Sequence, residues 1–324
     1  MMAGAETDTD TDEGNQPEAA AGEGGAHRCG FIALVGRPNV GKSTLLNALL
    51  GTKLSIVTPK PHTTRQRTLG VLTRHEAQYV FVDTPGLHEV RGRTLNRLMN
   101  DAARQAISDA DVVLVLLDAQ VMREADEKVL EAAFESGRPV VIGLNKTDQV
   151  RPRERLLPLL GELAERWPQA AGIVPFSALR QDNLDRLLTA LLPHLPESVV
   201  LYPEDMITDR KLAHRVGETV REKLMVQLRE ELPYGVAVLV ETLHEDERGR
   251  WQVGALVLVE QERHKGMVIG KGGQMLKVVG TQARQDLRTL LGAPVHLELR
   301  VKVRDDWSTD EHALRELGYS GEQS

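Results

Sequence analysis

Phe31-Ile32-Ala33-Leu34-Val35-Gly36-Arg37-Pro38-Asn39-Val40-Gly41-Lys42-Ser43-Thr44 is the stretch that decides the fold. Phe31–Val35 has the length and β-branched content of a strand, and G-x-x-x-x-G-K-S follows it directly. Leu45, Leu46, Leu49 and Leu50 then recur at helical spacing. The glycines therefore sit between a strand and the start of a helix, the context that gives this motif meaning. Gly36 and Gly41 allow successive backbone N–H groups to converge. With the positive end of the helix they form a cradle for phosphates. In such a loop Lys42 reaches the β- and γ-phosphates and the Ser43 hydroxyl ligates Mg²⁺. A chance glycine-rich turn is the competing reading; strand, helix and Lys-Ser together weigh against it.

The chain has 324 residues, a length that suggests two domains. Hydrophobic content of 41% and charged content of 27% fit a soluble globular protein. The single cysteine, Cys29, excludes an internal disulfide framework and fits a reducing compartment. No apolar stretch approaches the roughly 18 residues of a membrane span. The N-terminus lacks the basic and apolar regions of a secretory signal. The net charge of −7 is concentrated in residues 1–27, which hold Glu6, Asp8, Asp10, Asp12, Glu13, Glu18 and Glu23 and no Lys or Arg. That segment has little to bury and is expected to be a disordered acidic tail; the remaining chain is formally neutral.

Beyond the phosphate loop, Thr58-Pro59-Lys60-Pro61-His62-Thr63-Thr64-Arg65-Gln66-Arg67 is polar and proline-rich and reads as a mobile surface loop. One of its threonines could meet Mg²⁺ when a γ-phosphate is present. Thr68–Thr73 and Gln78–Val82 read as strands, the second leading into Asp83-Thr84-Pro85-Gly86. An Asp at a strand's carboxyl end can hold Mg²⁺ through a water, and the Gly86 N–H can sense the γ-phosphate. Helices are expected over Thr94–Ser108, Glu124–Ser136, Arg153–Trp167 and Asn183–Leu195, with strands over Asp111–Leu117, Pro139–Leu144 and Gly172–Phe176. The penultimate strand delivers Asn145-Lys146-Thr147-Asp148. The Asp148 carboxylate can accept both N1–H and N2–H of guanine, a donor pair that adenine lacks. Lys146 can lay its stem across the base, Asn145 can tie this loop to the phosphate loop, and the Ala178 N–H in Ser177-Ala178-Leu179 can meet the guanine O6. The alternation of strands and helices implies a doubly wound, mostly parallel sheet with its ligands at the strands' carboxyl ends.

These four motifs, from Gly36–Ser43 through Asp83–Gly86 and Asn145–Asp148 to Ser177–Leu179, resemble the motif set of translation-factor-related P-loop GTPases. The resemblance implies GTP hydrolysis with Mg²⁺, using Gly36, Asn39, Val40, Gly41, Lys42, Ser43 and Thr44 at the phosphates. It also implies Ser43, Thr64 and Asp83 at the metal. Thr64 is preferred to Thr63 because related GTPases place this Thr immediately before an Arg. Ras-like members carry a Gln after the D-x-x-G element to orient the attacking water. Leu87 stands there in this chain and cannot do so. GTPases with an apolar residue at that place resemble this chain in carrying an Asn in the phosphate loop, here Asn39. By that resemblance Asn39 helps bind K⁺ in place of an arginine finger, and intrinsic hydrolysis is slow, stimulated by K⁺ or a partner.

Pro193, Pro196 and Pro203 mark a linker near residues 197–205, which separates a nucleotide domain over 28–196 from a second domain over 206–305 and an extension over 306–324. Leu212, Val216, Val220, Leu224 and Leu228 predict an amphipathic helix over Thr208–Leu232. Strands are expected over Val236–Val240, Trp251–Val259 and Val295–Val303, with a helix over residues 274–291. Between them, Ile269-Gly270-Lys271-Gly272-Gly273 resembles the G-x-x-G loop of a KH module, which clamps about four nucleotides of single-stranded RNA. From Gln261 to Arg304 nine Lys and Arg residues, Lys271 and Lys277 among them, outnumber three acids. Such a patch suits a phosphate backbone.

A P-loop GTPase domain followed by a smaller α+β KH domain of type II resembles the Era family over roughly residues 28–319, including Val301–Trp307 and Ala313–Tyr319. Membership implies a monomeric, cytoplasmic GTPase that binds 16S ribosomal RNA near its 3′ end and assists maturation of the 30S subunit. It leaves room for loose contact with the cell membrane. Nucleotide state is expected to control RNA binding through the loops around Thr64 and after Gly86. Two alternatives stand beside it: a GTP-regulated RNA-binding module with negligible hydrolysis, and a sister GTPase acting on the large subunit or in tRNA modification.

Overall fold

The computed structural model describes residues 27–58, 60, 63–86, 94–228 and 232–319. Its first lobe is a six-stranded sheet built from β1 (Arg28–Val35), β2 (Thr68–Thr73), β3 (Ala77–Asp83), β4 (Val112–Asp118), β5 (Val140–Asn145) and β6 (Gly172–Pro175), in the order β2-β3-β1-β4-β5-β6. Only β2 and β3 pair antiparallel; the other neighbours are parallel. Alternation along β1 shows how the layers form. Ile32 and Leu34 face a core with the helices α1 (Lys42–Leu50) and α5 (Leu184–Leu191). Ala33 and Val35 face the opposite core, with α2 (Thr94–Asp109), α3 (Glu124–Glu135) and α4 (Leu156–Arg166). Both faces are covered, so β3, β4 and β5 are buried at every position; β4 and β5 read as apolar runs up to their last residue, and β3 is interrupted by Gln78.

The second lobe runs α6 (Leu212–Gln227), β7 (Val236–Glu245), β8 (Trp251–Val259), α7 (Glu262–Ile269), α8 (Gln274–Leu291), β9 (Val295–Val303) and α9 (Glu311–Glu316). β8 lies between antiparallel β7 and parallel β9. Val216, Val220 and Leu224 of α6 and Val279, Ala283 and Leu287 of α8 pack on Val253 and Val257 of β8. Among the described residues no helix is long and apolar enough to cross a membrane.

Three local features depart from the sequence expectations. The helix expected over Thr208–Leu232 covers only Leu212–Gln227. Its expected first turn is extended instead, because Ile207 O accepts from Val71 N at 2.8 Å and Thr208 Oγ1 donates to Leu69 O at 2.7 Å. Helix α7 was not expected; only Val268 of its eight residues is buried, so it carries no apolar period. The segment expected as a linker is pinned along the first lobe. Leu201 N and Tyr202 N both donate to Gln78 Oε1 at 3.0 Å, and Gln78 Nε2 returns a bond to Tyr202 O at 2.8 Å.

The lobes share an apolar and a polar contact. Leu95 and Met99 of α2 pack against Ala237, Leu258, Trp307, Ala313 and Leu314. The fully buried Trp307 donates Nε1–H to Gly235 O at 3.2 Å. In the polar contact, Arg65 of the loop before β2 and Arg221 of α6 are both buried, and Glu218 binds Arg221 through two bonds of 2.6 Å. Burial alone would raise the Glu218 carboxyl, but the charge of Arg221 and its two bonds prevail, with His214 and Arg65 adding to them, and hold it at about 2. Arg210 also faces it. The folded-state value lies below the ordinary 4.5, so the stabilisation is complete above that pH and is lost as the pH falls toward 2. The melting-temperature gap between wild type and Glu218→Gln should therefore narrow from pH 6 to pH 3; a gap that stays constant would contradict this ion pairing.

Candidate nucleotide and RNA sites

Every motif sits at a carboxyl end of the parallel sheet. The phosphate loop leaves β1 at Gly36, Asp83 closes β3, Asn145 closes β5, and Ser177 follows β6 by two residues. Gly41, at φ 102°, caps α1, and a Cβ there would lie 2.3 Å from Asn145 Nδ2. Asn145 can approach because only hydrogen stands in that place; its Nδ2 donates to Val40 O at 2.8 Å. The phosphate loop and the N-K-x-D loop are thereby joined.

A cleft of about 430 Å³ opens beside the start of α1, lined among others by Asn39, Gly41, Lys42, Ser43, Thr44, Thr64, Gly86 and Lys146. Lys42 Nζ donates to Gly36 O at 2.8 Å and to Arg37 O at 3.2 Å, curling the loop around its own ammonium group. Burial brings this ammonium down to about 8 against the pull of Asp83, with Arg37 adding to the fall. An anion in the cleft would meet a cation already stripped of water.

Ser43 Oγ lies 2.9 Å from Thr64 Oγ1 and donates to Asp83 Oδ2 at 2.9 Å. Asp83 is fully buried, and its Oδ1 has no hydrogen-bond partner among the described residues. Burial pushes its carboxyl up, opposed by Lys42 and Ser43. Two hydroxyls and a carboxylate with an unused buried oxygen form a hard donor set, and this set fits Mg²⁺. Neither the Thr63 hydroxyl nor its carbonyl joins it: Thr63 Oγ1 donates to Lys60 O at 2.7 Å, and Thr63 O accepts from Arg221 Nη2. Leu87 lies outside the described residues.

In the N-K-x-D loop, Asp148 Oδ1 accepts from Ser177 Oγ at 2.6 Å, which orients the carboxylate. Lys146, at φ 65°, is held by Asp118 Oδ2 at 2.7 Å. Asp118 received no role from the sequence, although its place at the end of β4 is where such sheets gather functional groups. Ala178 N donates to Asn145 Oδ1 at 3.0 Å, so the protein itself engages the N–H expected at guanine O6. The exposed Leu179 follows it.

In the second lobe, Ile269 ends α7, Lys271–Gly273 forms one tight turn, and α8 begins at Gln274. Gly270, at φ 75°, could not carry a Cβ, which would fall 2.6 Å from Met275 Cβ. Several of the nine cations are occupied locally: Lys265 by Glu262 at 3.4 Å, Arg300 by Glu241 at 2.5 Å and Arg304 by Glu316 at 2.5 Å. Lys271 and Lys277 are exposed and form no ion pair among the described residues.

Fold and site together define a P-loop GTPase joined to a KH module. Residues 31–146 match the family described as a 50S ribosome-binding GTPase, and residues 231–308 match the KH domain family. GTPase Era of Glaesserella parasuis is 47% identical over 294 residues, covering 91% of this chain and 98% of its own. GTPase Era of Desulfovibrio desulfuricans is 46% identical over 304 residues, covering 91% and 98%. Among solved structures, Era in complex with MgGDPNP and nucleotides 1506–1542 of 16S ribosomal RNA superposes with a TM-score of 0.87 at 43% identity, over 91% of this chain and 99% of that one. An Aquifex aeolicus Era bound to GDP·AlF4⁻ gives the same TM-score of 0.87 and 43% identity, over 90% and 99%. The chain belongs to the GTPase Era family.

The Asp148 geometry carries a direct expectation. Each hydrogen bond to a charged group is worth about 1.5–3 kcal/mol. Asp148→Ala should thus weaken GTP and GDP about a hundredfold or more while leaving the weak binding of ATP unchanged, as read by titration with fluorescent nucleotides. Equal loss for both purines would show that Asp148 does not read the base.

Proposed function

We propose that this chain hydrolyses GTP and lets its nucleotide state govern binding to 16S ribosomal RNA near the 3′ end, assisting assembly of the 30S subunit. The single observation that carries this reading is the likeness, across both lobes, to Era in complex with MgGDPNP and that RNA segment. The family description for residues 31–146 mentions the 50S subunit, but it concerns the first lobe alone. The likeness over 91% of the chain to an Era that carries a 16S ribosomal RNA segment favours the small subunit.

In this reading residues 28–196 form the GTPase domain, 197–205 the linker, 206–305 the KH domain and 306–324 an extension. Gly36, Asn39, Val40, Gly41, Lys42, Ser43, Thr44 and Gly86 surround the phosphates of GTP. Lys42 meets the charge that develops on the phosphoryl oxygens. Ser43, Thr64 and Asp83 hold Mg²⁺, which, when bound, neutralises charge on the β- and γ-phosphates. Asn145, Lys146, Asp148 and the Ser177–Leu179 turn hold guanine. Asn39, at φ 65° in the phosphate loop, is the residue assigned to K⁺. Ile269, Gly270, Lys271, Gly272, Gly273 and Lys277 contact RNA. The setting is the cytoplasm, with loose membrane contact standing only as a family expectation.

Crosslinking in cells followed by sequencing of the bound RNA tests the reading. The 3′ end of 16S ribosomal RNA should dominate the recovered sequences, and Lys271→Glu should cut that recovery about tenfold or more, since a charge reversal removes one phosphate contact and repels the next. Recovery centred on large-subunit RNA, or untouched by Lys271→Glu, would overturn it.

A further inference from the structure

Consecutive residues of the loop before β2 face opposite ways. Thr64 Oγ1 lies 2.9 Å from Ser43 Oγ, inside the donor set at the nucleotide cleft. On either side of Thr64 the loop is gripped from the second lobe. The Thr63 carbonyl accepts from Arg221 Nη2. The Arg65 guanidinium, buried, donates to Val236 O at 2.8 Å.

Arg221 is 1% exposed, deep in the contact between the lobes. Glu218 takes its Nε and Nη2 at 2.6 Å each, and Nη1 lies 3.1 Å from Met225 Sδ. Burying a cation is costly unless it is paired and fully hydrogen-bonded. An apolar side chain could hold the lobes together without that cost. An arginine adds direction, because its planar fork, locked by a carboxylate, aims one N–H at one chosen acceptor. Here the acceptor outside its own helix is the carbonyl immediately before Thr64. Fixing the peptide on one side of a residue and the neighbouring side chain on the other holds the backbone between them, and so narrows where its hydroxyl can reach.

We propose that Arg221, oriented by Glu218, is a positioning residue that keeps Thr64 in register with Ser43 and Asp83, so that the second lobe completes the nucleotide site of the first. This rests on the assignment of Thr64 to the nucleotide site given above. The competing account is that Arg221 only holds the lobes together.

Arg221→Lys separates the two, because a point-like ammonium cannot reproduce the planar fork in which Nε and Nη2 both meet Glu218 while Nη2 also reaches the Thr63 carbonyl. Two measurements on the full-length protein read the effect. Hydrogen exchange of the Thr63–Gln66 amides in nucleotide-free protein should speed up about tenfold, without any need for turnover. Turnover of GTP should show kcat reduced about tenfold with KM within about twofold, the pattern of a misplaced group rather than a lost binding contact. On a Thr64→Ala background the same substitution should change kcat by less than about twofold, because the group being positioned is gone. Glu218→Gln, which leaves Arg221 in place but without its orienting charge, should repeat the pattern if Arg221→Lys fails to fold. Unchanged exchange, or a full kcat cost that persists on the Thr64→Ala background, would overturn the proposal. If Thr64→Ala itself leaves turnover intact, the assignment of Thr64 to the site is what fails.

Discussion

Three side-chain oxygens brought together from a helix start, a loop and a strand end are the constraint on which this structure depends. Ser43 comes from the start of α1, Thr64 from the loop before β2 and Asp83 from the end of β3, and Ser43 Oγ lies 2.9 Å from each of the other two. Two of these places follow from the sheet: parallel strands put Gly36 and Asp83 at the same edge, and α1 starts where the phosphate loop ends. The third does not. Thr64 belongs to an irregular segment whose neighbours are held by α6 and β7 of the other lobe. The oxygen cluster of the first lobe thus includes a residue of a loop held from the second, and that contact is a physical link between the two lobes.

Charge is distributed to match. The cleft of the first lobe offers a desolvated ammonium at Lys42 beside a desolvated carboxylate at Asp83, each perturbed by burial and each favouring the other's charged form. The second lobe carries most of its cations on one stretch of sequence, yet local acids occupy several of them. The exposed cations Lys271, in the glycine turn, and Lys277, the fourth residue of α8, flank the amino end of that helix. Phosphates suit both places for the same reason: backbone N–H groups converge at a helix start next to a cation. A further tie joins α8 to the first lobe, because Asp286 of that helix binds Lys53, at 2.7 Å, in the loop just after α1.

Much of this was legible in the sequence because it rests on period and spacing. Buried parallel strands announce themselves as apolar runs, and a motif at the end of each run declares which edge binds ligands. Thr64 was legible only through the Arg that follows it, and the structure explains that neighbour differently from the threonine. Arg65 turns away to the second lobe while Thr64 turns toward Ser43. Arg221 was hidden, since an arginine on an amphipathic helix reads as a solvated residue until its burial is seen. Helix α7 was hidden because it buries one side chain, and the first turn expected of α6 failed because the edge of β2 competes for the same backbone. Side-chain capture of a backbone donor, as with Ala178 N–H on Asn145, has no trace in sequence at all.

The central claim is that nucleotide state and RNA grip are one coupled equilibrium. Its most direct test is the affinity of full-length protein for an RNA matching the 3′ end of 16S ribosomal RNA, measured with a non-hydrolysable GTP analogue and again with GDP. A coupling carried by packed interlobe contacts is worth about 1–3 kcal/mol, so the GTP-analogue form should bind about 5- to 150-fold more tightly. Equal affinities in the two states would contradict the account.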